Sequence, residues 1–81
     1  MEEFITLSDR VLFKKNIIGI FDIDNISISS RGRIFLKEAQ KNRQIEVLSP
    51  DIPKSIILYK DKDIKVFISQ LTPLTIYKKL L

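Results

Sequence analysis

The chain has 81 residues, enough for one small domain, and 44% hydrophobic with 30% charged residues is the composition of an ordered globular protein. It contains no histidine and no cysteine, which excludes disulfide bridges, thiolate metal sites and catalytic triads built on histidine. The formal net charge of +4 at pH 7 favours polyanionic partners such as nucleic acid.

The chain begins with two short apolar runs. Residues 4–7 and 11–13 flank Ser8-Asp9-Arg10, a pattern that is typical of a tight turn between two strands. The N-terminal segment is therefore predicted to form a β-hairpin.

The next stretch, residues 16–24, is rich in β-branched residues and has no alternating polar side. This pattern predicts a central strand that is covered on both faces. Residues 25–30 are more polar and predict a loop, in which Ser29 or Ser30 serves as the N-cap of a following helix.

Residues 31–43 predict the longest helix, which is amphipathic. Its apolar side carries Phe35, Leu36 and Ala39. Its basic side repeats a cation at every fourth position, namely Arg33, Lys37 and Lys41.

The second half of the chain predicts three strands and a short helix. A strand at residues 45–48 is followed by runs at 55–59 and 64–68, which the charged turn Lys60-Asp61-Lys62-Asp63 joins into an antiparallel hairpin. Thr72-Pro73 predicts the start of a C-terminal helix, with a capping hydroxyl before a proline at the first position. Its apolar residues lie on more than one side, which favours a subunit contact over docking within one chain.

The basic stripe of the long helix requires an explanation, because like charges four residues apart repel each other. A phosphate backbone would relieve that repulsion and release counterions. Arg31 and Arg43 flank the stripe, and Arg31 lies near the helix N-terminus, where a phosphate is favoured. The alternative is an ordinary solvated helix face.

Other lysines also have two interpretations. Lys14-Lys15 can extend a cationic surface or protect a sheet edge. Lys54 follows Pro53, a proline that restricts the conformation of the loop. Lys54 can contact a phosphate or form a salt bridge between subunits of an oligomer. Lys78-Lys79 complement the C-terminal end of the last helix.

Nothing in the sequence supports catalysis. Gly19 and Gly32 are the only glycines, so neither a Walker loop nor a dinucleotide-binding loop is present. Asp22-Ile23-Asp24-Asn25 does not continue as a calcium loop, because Ser27 and Arg33 stand where such a loop needs glycine and glutamate. We expect a non-enzymatic protein without cofactor or metal.

Neither export nor membrane insertion is predicted. No stretch approaches the roughly 18 apolar residues of a membrane-spanning helix, and Met1-Glu2-Glu3 carries acids where a signal peptide carries cations. Together with the absence of cysteine, this favours a cytoplasmic protein with no membrane partner.

Four segments, in this order and at this spacing, resemble the bacterial extracellular-matrix regulators RemA and RemB, most closely the RemB-like branch. The segments are Asn16-Ile17-Ile18-Gly19-Ile20, Arg33-Ile34-Phe35-Leu36-Lys37-Glu38-Ala39, Pro53-Lys54-Ser55-Ile56-Ile57-Leu58 and Ile68-Ser69-Gln70-Leu71-Thr72-Pro73-Leu74-Thr75. The resemblance covers essentially the whole chain. It implies a small cytoplasmic regulator of biofilm-matrix genes and, for RemA-like members, a ring-like homo-oligomer that binds DNA through repeated basic residues.

The chain departs from that family at two basic positions. RemA-like proteins carry arginine before the first isoleucine-rich strand and an arginine-rich turn before a later strand, whereas this chain has Asn16 and Asp51-Ile52-Pro53-Lys54. Only Lys15 and Lys54 remain nearby, and lysine lacks the bidentate fork of arginine.

The sequence therefore predicts one RemA/RemB-like domain over residues 1–81, with an α+β fold: a small mixed, mostly antiparallel sheet, one central amphipathic helix and a short C-terminal helix. The predicted function is a homo-oligomeric regulator that binds double-stranded DNA. The candidate phosphate contacts are Lys15, Arg31, Arg33, Lys37, Lys41 and Lys54. The alternative is a scaffolding module that forms the same oligomer and binds an acidic protein partner.

Overall fold

The computed structural model describes residues 3–81. Its strands are β1 (Phe4–Leu7), β2 (Arg10–Phe13), β3 (Ile17–Asp22), β4 (Ile45–Val47), β5 (Ser55–Lys60) and β6 (Ile64–Ser69). Its α-helices are α1 (Ile23–Ile28), α2 (Ser30–Lys41) and α3 (Pro73–Leu80), and a 3-10 turn (Lys14–Asn16) joins β2 to β3. The α+β fold class predicted from the sequence is confirmed.

The N-terminal hairpin is confirmed. β1 and β2 pair antiparallel, with Leu7 opposite Arg10, so Ser8 and Asp9 form a two-residue connection. Ser8 has φ 53°, the left-handed backbone conformation that two-residue hairpin loops require because it matches the twist of the strands.

The other four strands form one sheet in the order β3-β5-β6-β4. β5 pairs antiparallel with both β3 and β6, whereas β4 runs parallel to β6. The sheet is therefore mixed and mostly antiparallel, as predicted, and the predicted hairpin of β5 and β6 occupies its centre.

The prediction that residues 16–24 form the central strand is wrong. β3 stops at Asp22 and lies at an edge of the sheet, where Ile18 is 56% and Phe21 41% exposed. A continuous apolar run is a poor guide to position, because β5 has an equally continuous run and is one of the two strands with neighbours on both sides.

The predicted loop at residues 25–30 is also wrong, because most of it belongs to α1. The carboxylate of Asp22 accepts a hydrogen bond from the Asp24 backbone N–H at 2.8 Å and caps this helix. The Ser27 hydroxyl donates to the Ile23 carbonyl at 2.6 Å. A helix of 6 residues shows too little periodicity to be recognised in the sequence, since isolated short helices are marginal.

The two longer helices begin where the sequence predicts. Ser29 caps α2, its hydroxyl accepting from the Gly32 N–H at 3.2 Å. Thr72 caps α3, its hydroxyl accepting from the Thr75 N–H at 3.3 Å, and Pro73 is the first helical residue.

The four-stranded sheet separates two hydrophobic cores. The first lies between the sheet, the β1–β2 hairpin and α3, and its buried residues include Leu7, Leu12, Ile57, Tyr59, Phe67 and Ile76. The second lies on the opposite face under α1 and α2, and its buried residues are Ala39, Ile56 and Val66. The molecule therefore has three layers.

Two buried serines hold the turn that leads into α3. Ser55 and Ser69 are paired across β5 and β6 and are at most 1% exposed. The Ser55 hydroxyl donates to the Leu71 carbonyl at 2.5 Å, and the Ser69 hydroxyl accepts from the Leu71 N–H at 3.1 Å. Both polar groups of Leu71 are thereby satisfied, which fixes the exit of the chain from the sheet.

Substitution of Gly32 tests the packing of α1 against α2. A Cβ at Gly32 would overlap the carbonyl oxygen of Ile26, a backbone atom that cannot rotate away as the end of a side chain can. We expect Gly32→Ala to lower the free energy of unfolding by about 1–3 kcal/mol from overpacking, although alanine is the better helix former by about 1 kcal/mol. Urea denaturation measures the change.

Gly19→Ala is the matched control. A Cβ there would lie 2.8 Å from the tip of the Phe21 ring, and this partly exposed ring can rotate away. We expect Gly19→Ala to stay within about 1 kcal/mol of the wild type. Equal losses in the two variants would contradict this account of the α1–α2 contact.

Candidate nucleic-acid interface

Helix α2 packs against the second core with only a narrow part of its surface. Ala39 is its only buried residue, and Leu36 is partly buried, so these two confirm the predicted apolar side. Phe35, predicted on the same side, remains exposed. Most of the helix surface therefore faces solvent.

The basic stripe of α2, defined by Arg33, Lys37 and Lys41, lies on the solvent side of the helix. At roughly 100° per residue these three positions span an arc of about 80°. Among residues 3–81, the two ion pairs present involve other cations, so Lys37 and Lys41 have no acidic partner there. Ile34, which is 63% exposed, borders the same arc.

Arg33 has a structural contact in addition to its charge. Its Nη1 donates to the carbonyls of Ser27 at 3.1 Å and Ile28 at 3.2 Å, the last carbonyls of α1. A cation at a helix C-terminus is favourable because it satisfies free carbonyls and opposes the helix dipole. Arg33 therefore links α1 to α2, and its side chain is more restrained than the side chains of Lys37 and Lys41.

The other predicted residues of the helix region lie apart from the stripe. Arg31 lies about 120° around the helix from Lys37, on the side of Glu38. Arg43 is beyond the end of α2, with φ 58°. Neither continues the row of cations.

Lys15 and Lys54 lie at opposite ends of the sheet. Lys54 immediately precedes β5, and its N–H donates to the Ser69 carbonyl at 2.9 Å. Lys15 is in the 3-10 turn before Ile17, which pairs with Tyr59 near the other end of β5. Since a strand rises roughly 3.3 Å per residue, the two ends are on the order of 15–20 Å apart. The structure thus brings together three of the six predicted contacts and separates the rest.

Asn16 is used for packing. Its side-chain amide donates to the Tyr59 hydroxyl at 3.2 Å, and the Phe13 N–H donates to the same oxygen at 3.1 Å. The nearby Lys14 donates to the Leu80 carbonyl at 3.3 Å, where it caps α3. This region therefore holds the first core together, and Lys15 is the exposed cation of the 3-10 turn.

Two further cations share one acidic partner. Glu46 accepts from Arg10 Nε at 2.7 Å and from Lys65 Nζ at 3.5 Å. Both cations lie over the ring of Phe67, at 5.6 and 6.0 Å from its centroid. This cluster fastens the N-terminal hairpin to the sheet, and sequence reasoning did not find it because its members are distant in the chain.

A second exposed surface is apolar and combines the edge of β3 with one side of α3. We call it the β3–α3 surface and define it by Ile18, Leu74 and Tyr77. Leu74 is 64% and Tyr77 49% exposed, while the Tyr77 hydroxyl donates to the Ile20 carbonyl at 3.5 Å. The apolar second side predicted for α3 is therefore present and lies beside a sheet edge.

The described residues include no group of three or more acids that could hold a metal ion. A cleft of about 640 Å³ lies beside the 3-10 turn, lined by Glu3, Phe13, Lys14, Lys15, Asn16 and Asp61. Its two acids oppose its two lysines, so it has no dominant charge to select a ligand. Within the range 3–81, none of the helices is both long and apolar enough to cross a bilayer.

Comparison with known protein families and with curated proteins finds no match to this chain. The resemblance to RemA and RemB therefore stays a prediction from the four sequence segments.

Replacing Arg33 separates its structural contact from its charge. We expect Arg33→Met to lower the free energy of unfolding by about 0.3–1 kcal/mol, because the C-terminal carbonyls of α1 lose their cation. Lys37→Met is the control, and we expect it to be neutral or slightly stabilising because it removes like-charge repulsion of a few tenths of a kcal/mol. Hydrogen exchange should accelerate at α1 amides in Arg33→Met alone, and equal exchange in both variants would argue against the capping role.

Proposed function

We propose that this chain is a cytoplasmic, homo-oligomeric DNA-binding regulator of the RemA/RemB type, acting on biofilm extracellular-matrix genes and without catalytic activity. The observation that carries the proposal is the basic stripe of α2. Lys37 and Lys41 are exposed and lack an ion-pair partner among residues 3–81, and Arg33 extends the row at helical spacing. A row of cations on an exposed helix is suited to the regularly spaced phosphates of a duplex.

Three cations per subunit form a weak site by themselves. Each phosphate that a cation neutralises releases condensed counterions, so affinity increases with the number of contacts. If several subunits present the same stripe to one duplex, the later contacts form at high effective concentration. A ring-like homo-oligomer therefore accounts for DNA binding by a chain that lacks the arginines of RemA-like proteins.

The β3–α3 surface is the proposed contact between subunits. With roughly 200 Å² for a fully exposed large apolar side chain, its three residues leave roughly 340 Å² uncovered. Protein interfaces are about 57% apolar, so this surface corresponds to roughly 600 Å² per subunit in an interface. That is the low end of the roughly 600–1,000 Å² per partner of a stable interface.

One observation favours the alternative, a scaffolding module that binds an acidic protein partner. Ile34 borders the basic stripe and is 63% exposed. A phosphate backbone offers no apolar group for this side chain, whereas a protein partner with acids around an apolar residue would cover it.

Duplex binding titrated against salt tests the DNA proposal. We expect fluorescence anisotropy to show a dissociation constant well below millimolar at low salt. The logarithm of the affinity should fall linearly with the logarithm of the salt concentration. Lys37→Gln with Lys41→Gln should reduce the salt slope by roughly 0.9 for each phosphate that these lysines neutralise in the wild type.

Lys62→Gln, in the turn between β5 and β6, is the matched control and should leave the slope unchanged. Millimolar affinity at low salt, or affinity that does not depend on salt, would reject DNA binding. If the protein is oligomeric but binds no duplex, the scaffolding alternative is favoured.

Light scattering tests the subunit contact independently. We expect the wild type to exceed the monomer mass at micromolar concentration. Leu74→Asp should yield monomers, because burying a carboxylate without a partner costs several kcal/mol. Ile34→Asp is the control, since Ile34 is 63% exposed on α2, which covers the face of the sheet opposite α3. A monomeric wild type would eliminate the ring.

A further inference from the structure

The outer edge of β4 carries free backbone groups. β4 is the last strand of the sheet. The Gln44 carbonyl accepts from Val66 N–H at 2.8 Å, and Leu48 N–H donates to the Ile68 carbonyl at 2.9 Å, so residues 44 and 48 point toward β6. Because alternate residues of a strand point to opposite sides, the N–H and C=O groups of Ile45 and Val47 point outward, without a partner in the described part of the chain.

A groove runs beside this edge, on the face covered by α2. Its volume is about 490 Å³, and it is lined by Gln40, Arg43, Ile45, Val47 and Ile68. Val47 is 61% exposed, and no acid lines the groove. The one acid of β4, Glu46, lies on the opposite face in contact with Arg10 and Lys65. The groove therefore has an apolar floor, a cationic wall and an open strand edge.

The cation in the wall is held in a strained conformation. Arg43 N–H donates to the Gln40 carbonyl at 3.1 Å and Gln44 N–H to the Ala39 carbonyl at 2.8 Å, the bond pattern that ends helices with a left-handed residue, usually glycine. Here that residue is Arg43, with φ 58°. The left-handed conformation costs an arginine roughly 1–2 kcal/mol more than it costs a glycine. The Arg43 side chain is therefore a candidate for a binding role that glycine cannot fill.

The other sheet edge is protected. β3 has an irregular register between Ile17 and Gly19, a feature that interrupts pairing with a further strand. The Ile20 carbonyl of β3 already accepts a hydrogen bond from the Tyr77 hydroxyl of α3. The bulge and α3 therefore protect the β3 edge of the four-stranded sheet. The β4 edge stays open to the addition of a strand.

We propose that β4 accepts an extended, acidic segment of a partner protein as an added strand. The backbone of the segment pairs with Ile45 and Val47, its apolar side chains lie on Val47 and Ile68, and a carboxylate binds Arg43. The partner is identified by charge, because the wall offers a cation and the groove contains no acid to repel a carboxylate. This site is separate from the basic stripe of α2 and does not depend on DNA binding.

The test uses the full chain and a fluorescent, capped peptide in which every second residue is serine and the positions between them are two valines followed by a glutamate, so that valine and glutamate share one face of the added strand. We expect binding in the micromolar range and at least tenfold weaker binding when lysine replaces glutamate in the peptide. Amide exchange should slow at Ile45 and Val47 when the acidic peptide is bound. Equal affinity for the two peptides, or unchanged exchange at these amides, would overturn the proposal.

Two variants locate the site. Val47→Pro removes one outward N–H while leaving the bonds to β6 intact, since proline is tolerated on an edge strand, and should weaken the peptide at least tenfold. Arg43→Gly removes the cation and relaxes the backbone, so it folds, and it should weaken the acidic peptide to the level of the lysine peptide. Both variants should bind duplex DNA as the wild type does.

Unchanged peptide affinity in Arg43→Gly would overturn the proposal even if Val47→Pro fails to fold. A concentration-dependent rise in mass that Val47→Pro abolishes would assign the β4 edge to a second copy of the chain instead, and would also overturn it.

Discussion

The rest of the structure depends on the burial of both faces of the β5–β6 hairpin. Because successive side chains of a strand point to opposite faces, Ile57 and Phe67 enter the first core while Ile56 and Val66 enter the second. One face has to be covered by the N-terminal hairpin with α3, and the other by α1 with α2. The three-layer arrangement follows from this requirement.

The covering layers decide which surfaces remain for interaction. Helix α2 uses only a narrow side, around Ala39, to cover the second core, so its cationic side stays in solvent. Helix α3 buries Ile76 completely but leaves Leu74 and Tyr77 exposed beside β3. The basic stripe and the β3–α3 surface are thus consequences of short helices that cover a sheet with less than half of their circumference.

The positive charge of the chain is distributed by its contacts. Arg10 and Lys65 both pair with Glu46, Lys14 caps α3 and Arg33 caps α1. These contacts use cations for stability, which removes them wholly or partly from partner binding. The net charge of +4 therefore overstates the cationic surface available to a polyanion, and repetition of a short stripe across subunits becomes the physical basis of the proposed DNA binding.

Sequence alone determined the local elements whose signals are contained in a few neighbouring residues: the Ser8-Asp9 turn, the caps at Ser29 and Thr72, the β5–β6 hairpin and the amphipathic helix with its repeat of cations. Its errors were at β3 and α1, because a continuous apolar run does not reveal how many neighbours a strand has and a six-residue helix has little periodicity. Only the tertiary structure decided that Lys15 and Lys54 lie apart from the basic stripe, that Asn16 packs on Tyr59, and that the β4 edge is open. Those facts depend on contacts between residues far apart in the chain, which neither composition nor spacing encodes.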